Sequence, residues 1–195
     1  MPVERVAVTT LTDVTVRTEH NPLGPWSLQV LAGECVALTG NNGVGKSTLL
    51  RLLCGRIQPA SGKATLHPSR SLAPEPFHPP LGLRTHELIG HLCRCVGTVA
   101  PAAITALCTP DVMASRLDQL SRGELKRVVV AQAFIGHPTL LLLDEPLEGL
   151  DREGVALVTA LVHQHIDGGG CAIIATHRSE SWAHSHTRFF SVGVP

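Results

Sequence analysis

Gly40-Asn41-Asn42-Gly43-Val44-Gly45-Lys46-Ser47-Thr48 is the stretch around which the rest of the chain is organised. The apolar run Cys35-Val36-Ala37-Leu38 precedes it and Leu49-Leu50-Arg51-Leu52-Leu53-Cys54 follows, which reads as strand, glycine loop, helix. The spacing Gly40-x-x-x-x-Gly45-Lys46-Ser47 is the full P-loop pattern. Its glycines let successive backbone N–H groups turn inward as a nest for phosphate oxygens. The nest sits on a helix N-terminus, where unpaired N–H groups and the macrodipole favour negative charge. In such a loop residues 41–48 line the phosphates, Lys46 reaches the β- and γ-phosphates, and the Ser47 hydroxyl ligates Mg²⁺. The alternative, an ordinary Gly-rich turn, does not require the strand and helix that flank this one.

Upstream, residues 3–17 are rich in Val and Thr with partial alternation and read as one or two antiparallel strands. Trp26-Ser27-Leu28-Gln29-Val30 alternates again, so a small β-layer precedes the nucleotide strand. Downstream, Gly55 is placed to end the P-loop helix, and Lys63–Leu66 and Ser71–Ala73 read as short strands. Pro74-Glu75-Pro76-Phe77-His78-Pro79-Pro80 breaks the pattern. Thr85–Arg116 is then helical, with Thr85 as a candidate cap and Gly97, Pro101 and Pro110 dividing it; with its flanks, about 76–120, it reads as a small helical insertion. Ser121 and Glu124 have capping-box spacing and open a longer helix to about Ile135.

Thr139-Leu140-Leu141-Leu142-Leu143 is apolar throughout, as a strand buried on both faces should be, and ends at Asp144-Glu145-Pro146. Residues 152–166 form an amphipathic helix, Cys171–Ala175 another buried strand ending at Thr176-His177, and Arg188–Val192 a last strand at an edge. Strands alternating with helices imply an α/β fold with a mostly parallel sheet flanked by helices. Ligands in such sheets bind at the carboxyl ends of strands, and Gly40, Asp144 and His177 all fall there.

A length of 195 residues suits one domain. Sixteen basic residues balance sixteen acidic ones, which argues against a nucleic-acid partner bound by charge. No apolar run approaches the ~18–20 residues of a membrane-spanning helix, and the N-terminus lacks the build of a signal peptide, so the expected location is cytosolic. The six cysteines suggest no disulfide framework there. His91-x-Cys93-x-Cys95 lacks the usual metal-ligand spacing and reads as helix packing or surface.

Leu140–Asp144 resembles a Walker B strand, whose terminal Asp holds Mg²⁺ opposite the P-loop serine. With Glu145 the chain resembles the ATP-binding cassette (ABC) family along essentially its whole length. The family's motifs occur in order: Gly40–Thr48, the signature Leu120-Ser121-Arg122-Gly123-Glu124, Leu140–Asp144 with Glu145, the D-loop Glu148-Gly149-Leu150-Asp151, and His177. The resemblance implies a P-loop NTPase core, ATP and Mg²⁺ as ligands, Glu145 as general base for the attacking water, and His177 on the γ-phosphate. It also implies a head-to-tail dimer with a second ABC ATPase chain, identical or related. There Ser121 and Gly123 of one chain meet the γ-phosphate held by the other, and Asp151 lies across the interface. An integral membrane permease is the implied partner, which would hold the chain on the cytoplasmic face of the membrane.

Four positions depart from the family pattern. Arg122 and Glu124 replace signature Gly and Gln, while Ser121 and Gly123 remain. Glu75 stands where the Q-loop glutamine belongs; it keeps an oxygen for Mg²⁺ and loses the amide donor. The aromatic that stacks on adenine is missing near Thr18–His20, leaving His20 as the candidate and loose base selectivity as the expectation, with Trp26 packing the β-layer instead. The stretch Gly169–His177 also resembles cytochrome c biogenesis cassettes. A transporter ATPase is the leading reading. A soluble, non-transport ABC ATPase and a nucleotide-binding regulatory module without turnover remain the alternatives.

Overall fold

The computed structural model describes residues 6–19, 21–177, 179–183 and 186–193. Its centre is a five-stranded parallel sheet of β3 (Cys35–Thr39), β5 (Arg70–Ala73), β6 (Leu140–Asp144), β7 (Cys171–Ala175) and β8 (Thr187–Ser191), in the order β5-β6-β7-β3-β8. β8 is an edge strand, as its place in the sequence suggests. A separate three-stranded antiparallel sheet has β1 (Ala7–Val16) between β2 (Leu23–Leu31) and β4 (Ser61–Thr65). The Val/Thr-rich segment is thus one strand, irregular near Asp13, whose φ of 48° accompanies a register shift.

The central strands show why continuous apolar runs belong in a parallel sheet. Side chains alternate across a strand, so Leu140 and Leu142 join one apolar cluster and Leu141 and Leu143 the other. The first cluster lies between the sheet, the antiparallel layer and α1 (Lys46–Leu53), and holds Val14, Trp26, Leu38, Leu49 and Leu53. The second is covered by α5 (Arg122–Gln132) and α6 (Arg152–Asp167). It also receives Ile89 from α2 (Thr85–Val96), Ile104 and Leu107 from α3 (Ala102–Leu107), Val112 from α4 (Pro110–Ala114) and Leu117 from the 3-10 turn Leu117–Gln119. These helices of the 76–120 segment therefore share the core of the main body.

Local signals decide most helix ends. Gly55 takes φ +81° after the C-cap Cys54, the left-handed turn that only glycine adopts without cost. Ser121 and Glu124 close a capping box on α5: Ser121 Oγ accepts from the Glu124 N–H at 3.3 Å, and the Glu124 carboxylate accepts from the Ser121 N–H at 2.9 Å. α2 differs from expectation. Its N-cap is Arg84, whose N–H is taken by Glu87 at 2.8 Å, while Thr85 is fully buried with its hydroxyl turned to the Ser115 carbonyl.

All six cysteines are free thiols. Cys93 packs in the core while Cys95 and His91 lie on the exposed side of α2, 3.5 Å apart, so the three do not converge. Among the described residues no group of three or more His, Cys, Asp or Glu side chains is placed to hold a metal, and no helix is long and apolar enough to cross a membrane.

Candidate functional site

Strands β6, β7 and β3 are neighbours in the sheet, and their carboxyl ends deliver the chemistry to one rim. β3 runs into the glycine loop, β6 ends at Asp144, and β7 leads through Thr176 to His177. Register fixes the alignment, with Ala175 level with both Leu38 and Asp144. Asn42, Gly43, Gly45, Lys46, Ser47, Thr48, Asp144, Glu145 and His177 enclose a cavity of about 220 Å³.

The loop is shaped by two tight glycines. Gly40 has φ +135°, and a Cβ there would stand 2.6 Å from the Val192 carbonyl oxygen. Gly45 has φ +106°, and a Cβ there would meet Leu23 at 2.9 Å and Trp26 at 3.3 Å. Trp26, 3% exposed, thus packs the β-layer as expected and also floors the loop. Lys46 folds back across the loop, donating to the Gly40 carbonyl at 2.8 Å and the Asn41 carbonyl at 3.2 Å. Asn41 contributes that carbonyl from the exposed rim, and Val44 packs beneath Gly40.

Asp144 is buried, and burial holds its carboxyl above the usual carboxylate range against the Ser47 hydroxyl hydrogen bond and the charges of Arg51 and Lys126. Burial likewise raises Glu145, against the pull of His177 and Lys46. Glu145 has φ +44°, a left-handed backbone uncommon for a side chain of this kind. Its N–H donates to the Ala175 carbonyl at 2.9 Å, and its Oε2 accepts the His177 N–H at 3.3 Å. His177 Nε2 stands 3.3 Å from Glu145 Oε1 and 3.5 Å from Lys46 Nζ. The cavity therefore offers backbone donors and an ammonium for an anion, a hydroxyl–carboxylate pair for a hard cation, and a half-buried carboxylate beside an imidazole.

The other sequence candidates lie elsewhere. Ser121 and Gly123 are at the N-terminus of α5, outside this cavity, with Gly123 against the Gly149 carbonyl. Asp151 caps α6, accepting from the Gly154 N–H at 2.9 Å, and pairs with Arg127 at 2.6 Å. Glu75 does not line the cavity. Its carboxylate is paired with Lys126, and they lie with Pro76, Phe77, Arg122, Leu125 and Val129 around a separate cavity of about 200 Å³. Its charge still reaches Asp144, whose carboxyl it helps to raise. His20 lies outside the described residues. A larger cavity of about 470 Å³ includes Gly168, Gly169 and Gly170, before the amino end of β7, and none of the P-loop, Asp144, Glu145 or His177.

Sequence reading missed Lys126 and the pairs made by Arg122 with Glu148 at 2.5 Å and Arg127 with Asp151. The available signal was Glu75 itself, since an acid where an amide belongs calls for a basic neighbour.

The ABC transporter family model matches residues 23–88 and 97–148. The Zinc import ATP-binding protein ZnuC of Jannaschia sp. (strain CCS1) is 32% identical over 174 residues, 87% of this chain and 72% of that protein. The Cytochrome c biogenesis ATP-binding export protein CcmA of Xanthomonas campestris pv. campestris (strain 8004) is 32% identical over 190 residues, 90% of this chain and 89% of that protein. Among solved structures, an ATP-binding subunit of an ABC transporter superposes with a TM-score of 0.82 at 20% identity, covering 95% of this chain and 87% of that one. The dimeric structure of a bacterial ABC transporter cassette gives 0.79 at 19% identity, covering 95% of each chain. These two likenesses concern the fold, the P-loop α/β cassette. Family model and relatives together make this chain a member of the ABC transporter family.

Proposed function

We propose that the chain is the ATP-hydrolysing subunit of an ABC transporter, binding ATP with Mg²⁺ in the cavity between residues 42–48 and Asp144-Glu145. The observation that carries this reading is the meeting of Lys46, the Ser47–Asp144 pair and the Glu145–His177 pair at the carboxyl ends of three adjacent strands. The loop N–H groups and Lys46 bind the phosphates and resist their movement. Ser47 and Asp144 fit a hard cation, being an oxygen pair in a buried corner that disfavours a bare charge. Mg²⁺ there would neutralise charge on the phosphate oxygens. Glu75, tied to Lys126, supplies no direct oxygen to this corner, and its charge acts on Asp144 only from a distance and against that of Lys126.

Glu145 accepts the proton of the attacking water. Its raised carboxyl makes it a better base than an ordinary surface glutamate. His177, half-exposed at the cavity mouth, orients that carboxylate and donates to the γ-phosphate. Positioning and charge stabilisation suffice for phosphoryl transfer, so no covalent intermediate is invoked.

Ser121 and Gly123 do not serve the cavity of their own chain. They complete the cavity of a second ABC ATPase chain packed head to tail, through the exposed N-terminus of α5. Asp151 lies at that interface, and ATP closes the pair. A transmembrane permease receives the motion at Phe77, Leu81 and the 85–92 face of α2, where Leu81 is 87% exposed. The chain then works on the cytoplasmic face of the membrane. Steady-state ATP hydrolysis by wild type and Glu145→Gln tests the reading. Arrest in the variant with ATP retained supports it, and equal rates remove Glu145 from the role of base.

A further inference from the structure

Lys126 carries a charge where α5 is otherwise packed against the core. It is 5% exposed, on the same helix as the buried Val128, Val129 and Val130. An ammonium taken out of water is unfavourable unless its donors are used. Here they are used twice. One partner is the carboxylate of Glu75, and the other is the main-chain carbonyl of Glu145, at 3.1 Å.

The second bond reaches an unusual piece of backbone. Glu145 holds φ +44°, a conformation that persists only where its surroundings over-determine it. Its N–H is fixed to β7 through the Ala175 carbonyl, and its carbonyl is fixed by Lys126. With both sides of the residue tied, its side chain is directed toward His177 and the P-loop cavity. The first bond reaches the segment that begins at Glu75 and continues through Pro76 and Phe77, which shares a cavity with Lys126.

We infer that Lys126 is a positioning residue: its ammonium, held by Glu75, fixes the Glu145 carbonyl and so the aim of the Glu145 carboxylate, making that aim depend on where the 75–77 segment lies. The inference rests on the reading of Glu145 as general base. It gives the Glu at position 75 a purpose, since a neutral glutamine would leave the buried ammonium without its counter-charge. It also links the segment proposed to meet the permease to the catalytic carboxylate through a single side chain.

The test measures ATP turnover and fluorescent (mant) ATP binding on the purified chain, with thermal melting to establish that each variant folds. Lys126→Met keeps length and bulk while removing the donors. It should lower kcat about tenfold or more, with KM and mant-ATP Kd within about threefold of wild type, because the aim of the base is disturbed while the P-loop keeps its contacts and Asp144 keeps Ser47 and Arg51, which act on it more strongly than Lys126 does. Should Lys126→Met fail to fold, Glu75→Gln/Lys126→Gln carries the test. Glutamine is one bond shorter than lysine, so it stays beside residue 75 and releases the Glu145 carbonyl, and the same loss confined to kcat is expected. Turnover within twofold of wild type in a folded variant overturns the inference. So does a loss that appears in KM and Kd with kcat unchanged. Glu145→Gln, measured alongside, separates the two levels. Wild-type turnover in it removes the base and the inference with it, whereas arrest in it beside a fully active Lys126→Met removes the inference alone.

Discussion

Replacing Lys46 by methionine should separate nucleotide binding from folding. Lys46 is 8% exposed, and its ammonium donates to the Gly40 and Asn41 carbonyls, at 2.8 and 3.2 Å. Removing it deletes two charged hydrogen bonds and also the desolvation of a buried charge, terms of opposite sign. The two carbonyls belong to a half-buried and an exposed residue and can take up water. The fold should therefore change by no more than about 1 kcal/mol, or roughly 2–4 °C in Tm for a chain of this size.

Binding should respond far more. A hydrogen bond to a charged group contributes about 1.5–3 kcal/mol. Without ATP the ammonium already bonds to its own loop, so only the difference is available to phosphate. A Kd raised about 10–50-fold follows from the lower part of that range, at about 1.4 kcal/mol per tenfold. With ATP at about 100 times the wild-type Kd, wild type gains about 2.7 kcal/mol of stability, while a variant weakened about thirtyfold gains about 0.9. Thermal melting with and without ATP and Mg²⁺ reads both quantities. A Lys46→Met chain with the full wild-type ATP shift would refute the placing of phosphate at Lys46. A chain unfolded without ATP would refute the balance of terms.

Gly40→Ala places a Cβ 2.6 Å from the Val192 carbonyl at φ +135°, so it should cost about 2–3 kcal/mol and lower Tm by roughly 5–10 °C, measured by thermal melting. Ser121→Ala removes the capping hydroxyl of α5 and should cost about 1 kcal/mol. In a Glu145→Gln background it should also abolish the ATP-dependent dimer while leaving mant-ATP affinity within about threefold, which size-exclusion chromatography and titration check together. The pH dependence of Glu145 has a definite sign. Its carboxyl is raised by burial, so the folded chain holds that proton more tightly than the unfolded chain. The cost of ionising it is fully present above the folded pKa and disappears below the ordinary carboxylate value. The Tm of Glu145→Gln minus that of wild type should then be larger at pH 8 than at pH 4, and a difference independent of pH would contradict the assignment.

The parts of the fold legible from sequence were those set by near neighbours. The Gly40–Thr48 loop, the uniformly apolar β6 and the glycine after α1 each carry their cause within a few residues. Chain order alone also anticipated that β3, β6 and β7 would end on one side, because parallel strands joined by helices share a direction. The N-cap of α2 was misplaced by one residue because Thr85, a good capping type, is recruited by Ser115, thirty positions away. Lys126 was missed for the same kind of reason. Its partners, Glu75 and Glu145, are 51 and 19 positions distant, and periodicity along α5 marks it only as a polar interruption of an apolar face. The backbone of Glu145 carries no sequence signal at all, since its positive φ comes from ties to β7 and α5 rather than from a glycine or asparagine.

ATP hydrolysis in this cavity rests on Glu145 as base and on Ser121 and Gly123 of a second ABC ATPase chain, identical or related, closing the site. The most direct measurement is ATP turnover by the Glu145→Gln chain, together with its molecular mass in solution with and without ATP and Mg²⁺. Turnover should fall about a hundredfold or more, and a stable dimer should appear only with ATP, formed with a second copy or with a related chain. Turnover equal to wild type would contradict the role of Glu145, and an ATP-loaded chain that stays monomeric both alone and beside a related ABC ATPase chain would contradict the shared site.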